Sequence, residues 1–161
     1  MKQLDLFAAH KKTGESERWQ LFIDGAARNN PGPAGAGVYV VKNGEPYLRE
    51  GFFLGQKTNN QAEYTALLIG LLIIAEHMYS TDVVEIVSDS ELLVRQIKGD
   101  YKVKDSELKR LHALALLFLQ DMNYTIRHVL RSENPVADEL ANMGIDKQIK
   151  LPIVLAQKLG L

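Results

Sequence analysis

Residues 21–41 read LFIDGAARNNPGPAGAGVYVV, and the fold turns on Asp24 within them. Leu21, Phe22 and Ile23 precede it and Val38 to Val41 follow, all strand-forming residues. The aspartate therefore falls inside a sheet-forming stretch. An unpaired carboxylate in a sheet interior is expensive, and helix capping does not account for an acid in mid-strand. Something specific must hold it there.

Working outward, RWQLFIDGAA and AGVYVVKNGEPYLREGFFL are rich in β-branched and aromatic residues, with Asn43-Gly44 as a hairpin signal between two runs. Three antiparallel strands are predicted, at about 18–26, 36–42 and 46–54. TNNQAEYTALLIGLLIIAEHM (58–78) turns helical, with Asn59 or Asn60 as N-cap. Its ALLIGLLIIA segment reads as a buried helix, well short of the roughly 18 apolar residues of a membrane span. VVEIVSD (83–89) is a short apolar strand of the buried parallel kind. SELLVRQIKG is a helix closed by Gly99, and SELKRLHALALLFLQD (106–121) an amphipathic one starting at Ser106. YTIRHV (124–129) is a fifth strand, and PVADELANMG (135–144) a helix with proline in its first turn.

The order β-β-β-α-β-α-α-β-α implies an α/β fold: a mixed five-stranded sheet, three strands antiparallel and two parallel, flanked by helices. Residues 1–17 read as a flexible arm whose one apolar element is Leu4-Asp5-Leu6-Phe7. The domain proper spans 18–144. The tail, 145–161, is apolar enough to pack on the body or on a second subunit.

The 161 residues contain no cysteine, which excludes disulfides, thiol catalysis and cysteine metal sites. No convincing signal peptide precedes the first strand, so a cytoplasmic protein without a membrane partner is expected. Net charge is −1, so any contact with nucleic acid must rest on a local patch.

Four acids stand at structural junctions: Asp24, Glu63, Asp89 and Asp138. Singly, most have ordinary readings. Asp89 can cap the helix after it, and Glu63 and Asp138, in first turns, complement a helix dipole. Jointly they say more. If the first and fourth strands are neighbours, Asp24 and Asp89 face one another, and the two helix starts bring Glu63 and Asp138 to the same edge. Four clustered carboxylates cannot all stay ionised unaided. Hard oxygen ligands suit Mg²⁺ or Mn²⁺, and two such ions roughly 4 Å apart form the usual clamp for phosphodiester hydrolysis.

IDGAARNNPGPAGAG, TNNQAEYTALLIGL, VSDSELLVRQIKG and ENPVADELAN resemble, in order and spacing, the successive motifs of type 1 ribonuclease H, over about residues 18–143. The resemblance implies that family's ribonuclease H-like fold and its catalytic acids, here Asp24, Glu63, Asp89 and Asp138. It implies endonucleolytic cutting of the RNA strand of an RNA–DNA hybrid, with two metal ions and 5′-phosphate and 3′-hydroxyl products. Asp24 would bridge both ions, Glu63 and Asp89 would share one, and Asp138 would hold the ion that activates water. Gly25 lets backbone approach the substrate. Asn30, Asn59, Asn60 and Gln61 offer amides for base edges and 2′-hydroxyls, with turn and cap chemistry as the alternative. Ser90 and Glu91 are further candidates for substrate contact, and Asn134 for ordering the loop before Asp138.

The basic handle that many members carry after their second helix is replaced by the short GDYKVKDSELKR, in which Lys102 and Lys104 can contact phosphates. In RHVLRSENPVAD, His128 belongs to the strand by pattern. Arg131 falls in the loop where some members place a mobile histidine, and is the candidate to act there by electrostatics. GPAGAG (32–37) lies between strands, so a phosphate-cradle reading lacks its strand–helix context. A monomer is expected rather than a dimer. The rivals are a non-catalytic nucleic-acid binder and another nuclease of the same superfold.

Overall fold

The structure, a computed structural model, describes residues 16–161. The Leu4–Phe7 element and nearly all of the arm lie outside the described residues. Strands β1 (Arg18–Ala27), β2 (Gly32–Lys42) and β3 (Glu45–Lys57) form an antiparallel meander. Helix α1 (Asn59–Ala75) leads to β4 (Val83–Ser88), and α2 (Glu91–Lys98) and α3 (Ser106–Leu119) precede β5 (Asn123–His128). A 3₁₀ turn at Arg131–Glu133 then opens onto α4 (Pro135–Asp146), and α5 (Ile153–Leu159) closes the chain. The sheet order is β3-β2-β1-β4-β5, with β4 parallel to β1 and β5 parallel to β4. This is the mixed five-stranded sheet the sequence implies.

Several boundaries differ for identifiable reasons. β2 begins at Gly32, so GPAGAG is strand rather than connection. Its small residues carry α4 against the sheet: a Cβ on Gly37 would lie 2.0 Å from the Ala137 carbonyl oxygen. The N-cap of α1 is Thr58, not Asn59 or Asn60. Its hydroxyl accepts from Gln61 N while the Gln61 side chain accepts from Thr58 N, a reciprocal capping box. The third helix starts at Ser106, as expected, and is capped by Asp105, whose carboxylate accepts from Leu108 N at 2.9 Å. Helix α4 runs two residues past Gly144, to Asp146.

Helix α1 is apolar all round because it lies between the sheet and α3, and everything from Tyr64 to Ala75 is buried. Gly70 sits against Leu21 and Ile23 of β1, which are fully buried. The C-terminal residues pack on this body: Leu155 and Leu159 join the core, and Phe53 N donates to Ile149 O at 2.7 Å. No described helix is long and apolar enough to cross a membrane.

Candidate active site

Register brings the two aspartates together. Ile23 pairs with Ser88 in the parallel β1–β4 ladder, so Asp24 and Asp89 are the next residues at the carboxyl ends of neighbouring strands. Asp89 does not cap α2. Ser90 does, its hydroxyl accepting from Leu93 N at 3.2 Å, which leaves the Asp89 carboxylate for other work.

Glu63 arrives through a close approach of backbones. A Cβ on Gly25 would stand 2.2 Å from the Ala62 carbonyl carbon and 2.3 Å from Glu63 N, so only glycine lets β1 touch the start of α1. Gly25 N then donates to Glu63 Oε2 at 3.0 Å. The room at Gly25 is taken by α1, which is a different reason for glycine than approach to a substrate. With the cap at Thr58, Glu63 is the fifth helical residue, beyond the first turn where a dipole would explain it. Asp138 stands in the first turn of α4, where Asn134 positions the helix: its Nδ2 donates to Ile23 O at 2.9 Å, and its carbonyl accepts from Asp138 N at 3.3 Å.

Asp24, Glu63 and Asp89 each present a carboxylate oxygen within 4.8 Å of the others. With Asp138 and Arg131 they line an open pocket of about 420 Å³. Burial, then the charges of Asp89 and Asp138, push Asp24 up to about 8 from 3.8. Burial and the charges of Asp24 and Asp89 hold Glu63 well above the carboxylate range. Asp89 is also raised, chiefly by burial. Among the described residues these acids are the group able to hold a cation, and hard oxygens at this spacing fit a divalent one.

Asn59 and Gly25 also line the pocket, while Asn30, Asn60, Gln61, Lys102 and Lys104 do not. Asn30 Oδ1 accepts from Asn59 N at 2.9 Å, and Asn59 Oδ1 from Ala27 N at 3.1 Å, tying the β1–β2 turn to α1. Gln61 spends its side-chain oxygen on the cap. Lys102 and Lys104 are exposed in the 99–105 connection, which Gln96 Nε2 holds through Lys102 O at 3.3 Å. Arg131 reaches Asp138 Oδ1 at 3.5 Å with its side chain 81% exposed. His128 ends β5 and is exposed, its Nε2 3.2 Å from the Asp89 carbonyl.

Two polar pocket residues escaped the sequence reading. Arg28 pairs with Asp146 at 2.5 Å and donates to Asn142 Oδ1 at 3.3 Å, joining the β1–β2 turn to α4. Asn142 follows Asp138 by four residues, so helical spacing places the two on one face. Arg28 carried no comparable signal. A larger groove of about 700 Å³ at the feet of β1, β4 and β5 contains a single acid, Glu85, already paired with Arg127 at 3.2 Å. The acid cluster is in the smaller pocket.

A family model described as reverse transcriptase-like matches residues 22–144. Ribonuclease HI of Halobacterium salinarum is 38% identical over 131 residues, 80% of this chain. The chain belongs to the type 1 ribonuclease H family. It spans 65% of that archaeal relative and 34% of a Mycobacterium tuberculosis bifunctional protein that it also matches. The crystal structure of RNase H1 from Halobacterium salinarum has a TM-score of 0.77 and 36% identity, covering 81% of this chain and 98% of that one. LC11-RNase H1 in complex with RNA/DNA hybrid gives a TM-score of 0.74 and 37% identity, covering 82% and 98%. The ribonuclease H-like fold expected from the motifs is thus the fold of the chain.

Proposed function

We propose that this chain is a ribonuclease H that cuts the RNA strand of RNA–DNA hybrids endonucleolytically, leaving 5′-phosphate and 3′-hydroxyl ends. The observation that carries the reading is the carboxylate cluster, in which three acids from β1, α1 and the end of β4 converge within 4.8 Å beside Asp138. A binding module for polyanionic nucleic acid would gain nothing from such repulsion. A relative of known structure binds an RNA/DNA hybrid, which supports the same substrate class here.

In this reading Asp24, Glu63, Asp89 and Asp138 hold two divalent ions, Mg²⁺ or Mn²⁺, and domain 18–144 does the work. Such ions, when bound, supply an activated water and stabilise the leaving oxygen. Asp24, placed near the end of β1 by strand register, would be a ligand to the metal. Glu63 is oriented by the Gly25 N–H, and Asp89 is free because Ser90 takes the cap. Arg131 lends positive charge at the mouth beside Asp138. Asn59 and Gly25 line the pocket, where the Asn59 amide would meet the minor groove of the hybrid; Asn30 and Gln61 steady the start of α1 behind it, and Asn60 would offer its amide to the duplex. Lys102 and Lys104 meet phosphates further along the duplex.

The test is cleavage of an end-labelled RNA–DNA hybrid beside matched RNA–RNA and DNA–DNA duplexes, with Mg²⁺, Mn²⁺ or chelator. Internal cuts in the RNA of the hybrid alone, lost with chelator, are expected. Metal-dependent cutting of another duplex instead would keep the site and replace the substrate. No cleavage with any metal would overturn the reading.

A further inference from the structure

The sheet has two faces, and helices cover them unequally. Helices α1, α2, α3 and α5 share the core on the face that holds Leu21 and Ile23. Helix α4 packs on the other face, over Gly37 and Gly51. Those glycines pair with one another, and Gly37 pairs with Asp24, so α4 rests on one row across β1, β2 and β3.

The next row toward the foot of the sheet runs over all five strands. Strand register lines up Arg49 on β3, Tyr39 on β2, Phe22 on β1, Val87 on β4 and Arg127 on β5. The row spans about 19 Å, four strand spacings. Val87 is buried, but Phe22 and Tyr39 are partly exposed, with ring centroids 5.5 Å apart. Neither ring joins the main core. The Arg49 guanidinium lies over the Tyr39 ring at 5.2 Å, and among the described residues no carboxylate pairs with it. Arg127, its side chain half exposed, closes the far end.

Below this row lies the groove of about 700 Å³, lined by Arg18, Gln20, Glu85, Asn123 and Thr125 among others. Alternation along the strands puts these side chains on the same face as Phe22. Glu85 is already spent: it accepts from Gln20 Nε2 at 3.0 Å and pairs with Arg127 Nε at 3.2 Å. The face therefore presents three arginines against one satisfied acid. In a chain of net charge −1, this is a local cationic patch with aromatic rings set into it. None of these residues lines the acid pocket.

We propose that this face is a platform for single-stranded nucleic acid. Bases stack on Phe22, Tyr39 and the plane of Arg49, in contacts that any sequence can make because every base has a π face. Arg18 and Arg127 meet the backbone phosphates. A duplex keeps its bases inside and has none to lay on the rings. The proposal does not depend on what the acids cut.

The experiment titrates the full-length chain into short labelled single strands of RNA and of DNA and follows fluorescence anisotropy, with chelator present so that nothing is cleaved. Saturable binding of both strands is expected, weakening as salt rises. Tyr39→Leu, which removes the ring and keeps an apolar side chain, should weaken it about tenfold. Arg49→Ala with Arg127→Ala should weaken it too and flatten the salt dependence, and hybrid cleavage should keep its kcat in both variants. Lys102→Ala with Lys104→Ala should leave single-strand binding unchanged. Absence of binding by the unaltered chain, or undiminished binding by the tyrosine and arginine variants, overturns the proposal. So does loss of binding in the lysine variant alone, which would move the contact to the 99–105 connection. A dimer in sedimentation that Tyr39→Leu dissociates would show the face covered by a second copy, and overturns it as well. Single-strand binding without cleavage of any hybrid would leave the platform standing and sink the hybrid-cutting reading alone.

Discussion

Asp24 and Asp82 are both buried aspartates with opposite surroundings. Asp82 accepts from Glu17 N, Trp19 Nε1 and Tyr79 N, at 2.9 to 3.0 Å, and is a structural joint. Asp24 faces other acids. Because its value in the fold, about 8, lies above the ordinary 3.8, the folded chain binds that proton more tightly than the unfolded chain does. The resulting stability is present below pH about 4 and is lost as pH rises through about 8. In metal-free protein at pH 8, Asp24→Asn should therefore raise Tm by several degrees, with the gap closing below pH 4. Cleavage by this variant should vanish, and Mg²⁺ should raise the Tm of the unaltered protein more than that of the variant. Calorimetry across pH, with and without Mg²⁺, checks both; a variant less stable than wild type at pH 8 would contradict the origin given for the shift. Asn134→Ala removes the bond that ties α4 to Ile23 O. A loss of about 1–3 kcal/mol in urea unfolding is expected, together with lower cleavage, since Asp138 rides on that helix.

At the scale of elements, the site depends on how closely α1 and α4 approach the sheet. Helix α4 rests on the backbone of β2, where the Cβ that Gly37→Ala would add overlaps the Ala137 carbonyl, one residue before Asp138. The helix must lift. Destabilisation of about 1–3 kcal/mol is expected, with a fall in kcat that no excess of Mg²⁺ restores. Unchanged urea unfolding would show that α4 yields more easily than its packing implies. Thr58→Ala breaks the capping box of α1 and should cost about 0.5–2 kcal/mol in the same measurement.

For the molecule as a whole, the acid pocket and the two exposed lysines of the 99–105 connection are separate features. Neutralising both, Lys102→Ala with Lys104→Ala, should raise the apparent KM for hybrid and flatten its dependence on salt, leaving kcat nearly unchanged. Steady-state kinetics from low to moderate ionic strength would show it; an unaltered slope would remove these lysines from the binding surface.

The order of strands and helices as far as α4 and the identity of the clustered acids were legible in the residues, whereas the pairing of β1 with β4 was a supposition there and is shown by the structure. Patterning is local and a mid-strand aspartate is anomalous wherever it stands, but the register of two strands far apart in the chain is set by tertiary structure. Tertiary structure decided what two alternatives at one position share in sequence. Whether Asp89 or Ser90 caps α2, and whether Gly25 opens toward a ligand or admits α1, depends on which backbone comes near. Arg28 joined the pocket for the same reason, since its partners Asn142 and Asp146 lie more than a hundred residues away in the chain. Composition and period determine which elements form; only their packing in space determines which polar groups are already spent on structure and which remain for chemistry.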